Sequence, residues 1–264
     1  MKNGRSPDVL DSIITTKALA LITGQIRQAA TDLALYQPNE VDWLGRSEHA
    51  ASIIIPWLVK NGDSLKMHVE GVLNAPLQLR RLWSEIRGHV QLPKKQIEAF
   101  DHQLSLDDIL RESVTGEVVS KIITNFLLER NTDFKSNGRS DYPDVYLGQL
   151  DYSQLPQFRR QRMDEGQEFG AALKGSSRRP VRVPDGLEIK TCRNSIRVDC
   201  HHPHLGLHLV LVFSEHKRTF KVVDLRIAFL ARSDYHESNR NTSATTVKFS
   251  FNGERFISLL PSAD

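Results

Sequence analysis

Apolar residues recur at three- and four-residue steps through the first half of the chain and switch to alternation in the second. Across residues 9–36, Leu10, Ile13, Ile14, Ala18, Leu21, Ile22 and Ile26 follow the helical period, and Pro38 ends the run. A second apolar stretch over 50–59 contains Pro56, which predicts a kinked or interrupted helix, and Asn61-Gly62-Asp63 reads as a turn. Further helices are predicted over 77–90, over 94–100 after Pro93, and over 105–112, where Ser105 and Asp107-Asp108 supply a cap and first-turn acids. The best helical pattern is 116–129, with Val119, Ile122, Ile123, Phe126 and Leu127 on one face.

Beyond it the period is two. In 144–147, Val145 and Leu147 point to a core and Asp144 and Tyr146 away from it. In 187–192, Leu187 and Ile189 point inward and Glu188 and Lys190 face an open cleft. Strands are also predicted over 207–213 and 220–230, and Asn252-Gly253 between 245–251 and 255–260 is a two-residue hairpin signal. The fold expected is α/β or α+β: a helical N-terminal region, 1–110, serving recognition or dimerisation, and a unit over 111–264 built on a mixed central sheet.

Composition narrows the classes. With 264 residues, 39% hydrophobic and 25% charged, the chain can bury a sizeable core and is not a disordered tail. A net charge of +3 and a pI near 8.8 permit a polyanionic partner without demanding one. Cys192 and Cys200 are too few for a disulfide framework. No apolar run is expected to reach the length of a membrane span, and the N-terminus lacks a signal-peptide core, so a cytoplasmic protein without membrane contact is expected. The phosphate-binding pattern G-x-x-x-x-G-K-[ST] does not occur, so no nucleotide cofactor is expected.

Candidate chemistry lies on two of the strands. Glu188 and Lys190, two apart on one strand, project from one face about 7 Å apart along the chain. Asp144 follows Pro143, a residue tolerated at a strand start, and faces the same way in its own strand. Pro143-Asp144 and Glu188-Ile189-Lys190, in that order on two strands after a helix, resemble the motifs of the PD-(D/E)xK nuclease superfamily over residues 111–264. The resemblance implies a restriction-endonuclease-like sheet, with Asp144 and Glu188 holding Mg²⁺ and Lys190 steadying the attacking water or taking its proton. It also implies that Glu117, which on its own suits the positive end of a helix, joins the metal site. The function implied is a type II restriction endonuclease, a homodimer cutting double-stranded DNA at a specific site to leave 5′-phosphate and 3′-hydroxyl ends. The alternatives are a structure-specific repair or junction nuclease and a non-catalytic DNA-binding module of the same fold.

Two loops carry the DNA contacts expected. Between the motif strands, 151–185 holds Arg159, Arg160, Arg162, Lys174, Arg178, Arg179 and Arg182 against Asp164, Glu165 and Glu168, a composition suited to phosphates. In the loop 232–243, Asn239 and Asn241 match adenine edges and Arg240 guanine. Cys200, His201, His202 and His204 match no common zinc spacing, and His201 or His204 is instead a phosphate contact.

Overall fold

The computed structural model describes residues 7–29, 43–75, 112–136, 144–147, 181–194, 196, 199–200, 204–216, 219–237, 249–251 and 253–261. Helices α1 (Pro7–Gln28), α2 (Trp43–Asn74) and α3 (Glu112–Arg130) come first. Strands β1 (Val145–Tyr146), β2 (Val181–Arg193), β3 (Asp199–Cys200), β4 (His204–His216), β5 (Thr219–Leu230), β6 (Tyr235–Glu237), β7 (Phe249–Phe251) and β8 (Ile257–Ser258) follow. Five strands form a sheet in the order β1-β2-β4-β5-β8, and three form a smaller one in the order β3-β7-β6. β2 and β4 run parallel while the other pairs are antiparallel, so the large sheet is mixed. The architecture is α+β with N-terminal helices, as the alternation of periods led us to expect. The helices expected over 77–90 and 94–100 lie outside the described residues.

Alternation builds two cores on the two faces of the large sheet. Leu187, Ile189, Leu207, Leu209, Leu211, Leu225, Ile227 and Phe229 point to one face and pack with Ala18, Ile22 and Ile26 of α1, Ile54, Ile55 and Leu58 of α2, and Val119, Ile123 and Phe126 of α3. Burial of each large side chain contributes about 1.5–3 kcal/mol. On the opposite face Val210, Val212, Ala228 and Leu230 pack with Tyr235 and Phe256.

The far edge of β5 is closed by side chains. A bulge where Val212 pairs Asp224 but Phe213 pairs Val222 leaves Val223 out, 52% exposed. It resets the alternation, so Val222 and Phe220 stay in the core. Along that edge Asn74 accepts from the Phe220 amide at 2.8 Å and donates to its carbonyl at 2.8 Å. Glu70 accepts from Val222 N–H at 2.7 Å, and Asp224 accepts from Leu225 N–H at 2.8 Å. β8 pairs with Arg226 and Ile227, and Gln25 accepts from Phe229 N–H at 2.8 Å. Helix side chains thus do what a sixth strand would do.

Several local expectations are corrected. α2 runs unbroken through Pro56 and Asn61-Gly62-Asp63. Its buried Ile54, Ile55, Leu58, Leu65 and Val69 tie both halves to one core, which outweighs the hydrogen bond that proline removes. Gly62 serves close packing rather than a turn, since a Cβ there would lie 2.9 Å from Leu260 Cδ2. α1 ends at Gln28, with 30–36 outside the described residues, and Ile13 and Leu21, expected in the core, are 41% and 44% exposed. Apolar on two sides, Asp8–Gln28 is also long and apolar enough to cross a membrane by length and composition, contrary to the sequence reading, and here it packs on α2 and β5. Among the described residues the strands flanking Asn252-Gly253 do not pair as a hairpin. β7 pairs with β3 and β6 while β8 pairs with β5, and a 3₁₀ turn at Gly253–Arg255 carries the chain from one sheet to the other. Arg232–Asp234 is likewise a 3₁₀ turn leading into β6, where a loop was expected.

Candidate active site

Leu187 regains the ladder after a break, and that sets which side chains face the site. Arg182 pairs with Leu205 and Leu187 with Leu207, so residues 183–186, Pro184 among them, span a single residue of β4. Proline has no amide for the ladder, which suits this interruption. The basic excursion, expected to reach residue 185, therefore stops short of β2, which begins at Val181. From Leu187 on, odd positions enter the helix-packed core and even positions, Glu188 and Lys190, share the other face. α3 supports the strand from the core side. Gly116 allows the approach, since a Cβ there would lie 3.0 Å from Thr191 Oγ1, and Ser120 Oγ donates to the Ile189 carbonyl at 3.5 Å.

On the other flank β1 pairs Val145 with Leu187 and Tyr146 with Gly186. One step further along that register Asp144 comes opposite Glu188. Directly opposed antiparallel residues share a face with Cα atoms about 5 Å apart. Asp144 Oδ2 accepts from the Ile189 amide at 2.7 Å, so the carboxylate continues the ladder where β1 has ended. Tyr146, expected to face outward, is 7% exposed. The segment after α3 covers this edge, with Lys135 and Tyr146 exchanging backbone hydrogen bonds of 2.8 and 2.9 Å.

Glu188 Oε1 accepts from Lys190 Nζ, with side chains 5% and 26% exposed respectively. The open cleft expected at Glu188 is instead a covered position. Asp144, next to β1, flanks it on one side and His208, its register partner on β4, on the other. A carboxylate buried to this degree needs a charged or hydrogen-bonding partner, and Lys190 provides it from the more solvent-open side.

The structure thus brings Asp144, Glu188 and Lys190 to one edge of one sheet. Glu117 lies in α3, whose start at Glu112 puts it in the second turn rather than the first, and its side chain lies outside the described residues. Arg182 is in β2 and His204 opens β4, with side chains likewise outside them. Arg159, Arg160, Arg162, Lys174, Arg178, Arg179, His201, Asn239, Arg240 and Asn241 also lie outside the described residues. Sequence reasoning passed over His208 and Tyr235, whose side chains hydrogen-bond beside Glu188. The placing of His208 among alternating leucines was the available signal.

Among the described residues no group of three or more His, Cys, Asp or Glu side chains is arranged to hold a metal ion. The pair Asp144 and Glu188 nevertheless fits Mg²⁺, which takes hard oxygen ligands, keeps several waters and is often bound through one or two carboxylates.

No family model and no curated protein matches the chain. Among solved structures it is similar to the restriction endonuclease BglI bound to its DNA recognition sequence, at 7% identity and a TM-score of 0.36, with 94% of this chain and 98% of that chain covered.

Proposed function

We propose that the chain is a Mg²⁺-dependent endonuclease of the PD-(D/E)xK kind that cuts double-stranded DNA at a specific site as a cytoplasmic homodimer, a type II restriction enzyme. The supporting observation is the meeting of Asp144, Glu188 and the Glu188–Lys190 ion pair on adjacent strands at one sheet edge. Phosphodiesters repel nucleophiles through their charged oxygens, so hydrolysis needs positive charge at the phosphate and a positioned water. When bound, Mg²⁺ would supply that charge and polarise both phosphate and water. Asp144 and Glu188 would hold it, with Glu117 a third ligand in this reading. Lys190 either steadies the negative charge developing on the attacking water or accepts its proton. The water oxygen bonds to phosphorus as the bond to the 3′ oxygen breaks, leaving a 5′-phosphate and a 3′-hydroxyl. Arg159, Arg160, Arg162, Lys174, Arg178, Arg179 and Arg182 hold phosphates, and Asn239, Arg240 and Asn241 read bases.

The test is incubation of the chain with phage-length DNA with and without Mg²⁺, followed by sequencing of fragment ends. Discrete fragments with a shared end sequence, formed only with Mg²⁺, are expected. Intact DNA at every Mg²⁺ concentration, with binding retained, would leave a DNA-binding module. Cleavage confined to branched substrates would point to a repair nuclease.

A further inference from the structure

β2 and β4 are parallel with Glu188 opposite His208. Partners in adjacent strands project to the same face about 4.8 Å apart, so His208 walls Glu188 on the side away from Asp144. It is 1% exposed, an uncommon degree of burial for an imidazole, and both ring nitrogens are engaged. Nδ1 lies 2.9 Å from the Gly206 carbonyl oxygen, and Nε2 lies 3.1 Å from the Tyr235 hydroxyl. A carbonyl only accepts, so Nδ1 donates to it and Nε2 meets a hydroxyl able to donate in return. The ring is held at two points.

Both anchors are themselves fixed. Gly206 has φ 147°, a conformation L side chains rarely adopt, and it sits where the β2–β4 register breaks. Tyr235 opens β6 of the small sheet, is 5% exposed, and packs with Val210, Val212, Ala228 and Phe256. The Tyr235 hydroxyl thus ties the small sheet to the strand that flanks Glu188.

We propose that Tyr235 and His208 are positioning residues for Glu188. They lock the wall that holds its carboxylate toward Asp144 and Lys190, and so couple the affinity for Mg²⁺ to the packing of the small sheet. This inference rests on the nuclease reading of Glu188. Outer partners that orient metal ligands are worth about 10–100-fold in metal affinity or activity when removed. Tyr235→Phe deletes one oxygen, leaves the ring in the small core, and takes from His208 Nε2 the donor that holds it.

The experiment measures Mg²⁺ binding to the full chain by calorimetry without DNA, then the Mg²⁺ dependence of single-turnover cleavage. Tyr235→Phe is expected to weaken Mg²⁺ binding, and to raise the Mg²⁺ needed for half-maximal cleavage, by about tenfold or more, while the rate at saturating Mg²⁺ stays within about twofold of wild type. A merely structural contact would lower the melting temperature and leave the Mg²⁺ dependence in place, which would overturn the inference. Should Tyr235→Phe fail to fold, His208→Gln is read the same way. Wild type that neither binds Mg²⁺ nor cuts DNA defeats the nuclease reading itself, whereas active wild type with an unshifted variant defeats only the positioning role.

Discussion

Asp144 does two jobs that a single substitution would confuse. Its Oδ2 takes the Ile189 amide, a structural role, and in the proposed reaction its charge holds Mg²⁺. Asparagine keeps an acceptor oxygen and loses the charge, so Asp144→Asn is expected to melt close to wild type yet lose cleavage by more than about 100-fold. Asp144→Ala should also lose about 1–3 kcal/mol of stability by stranding that amide. Single-turnover cleavage and urea unfolding, run on both variants, separate the two roles. Equal cleavage by Asp144→Asn and wild type would reduce Asp144 to a strand cap. Glu188, being buried, is better probed by Glu188→Gln than by alanine, because glutamine fills the same space and opens no cavity. The positions of Glu188 and Lys190 on one strand face were legible from alternation alone. The burial of Glu188 was not, since it depends on strands that approach from distant parts of the chain.

Gln25 shows how much of an element's stability lies outside its own sequence pattern. From the last turn of α1 it takes the Phe229 amide at 2.8 Å and gives its own amide to the Arg255 carbonyl at 2.7 Å. Gln25→Ala strands two backbone groups, each costing about 1–3 kcal/mol if left unpaired, so a drop on the order of 2 kcal/mol or more is expected in urea unfolding. A change below about half a kcal/mol would mean that water replaces both bonds. Helices and strands with clear periods were readable: α3, β4, β5 and β2 from Leu187 on fall where the apolar spacing places them. What failed was punctuation. Gly62 and Asn252-Gly253 carry turn signals by residue type and Pro56 a signal for a break, but long-range packing decides their use, and in α2 a buried face on both sides of the proline keeps the helix continuous. The register break before Glu188 was equally hidden, because a single strand's sequence does not say how its neighbour is counted.

For the whole molecule, the proposed reaction at both strands of a duplex requires two sites, and one chain carries one set of Asp144, Glu188 and Lys190. In the homodimer reading, mixing wild type with Glu188→Gln is expected to give hybrids that cut one strand, seen as nicked circles from a supercoiled plasmid. Linear product alone, merely reduced in amount, would argue against paired copies. The basic stretch should act on every sequence alike: Arg178→Ala with Arg179→Ala is expected to weaken duplex binding generally and flatten its dependence on salt. New cut sites at undiminished affinity would instead make those arginines base readers. The side chains lining β5 bear on how copies can meet. A bare strand edge is a template on which any extended chain can add, one step toward fibrils. With Asn74, Glu70, Asp224, β8 and Gln25 occupying it, that template is filled from within the same chain. Copies crowded together cannot join their sheets through β5, so association at that side must run through side chains, which, unlike a backbone ladder, can tell one partner from another.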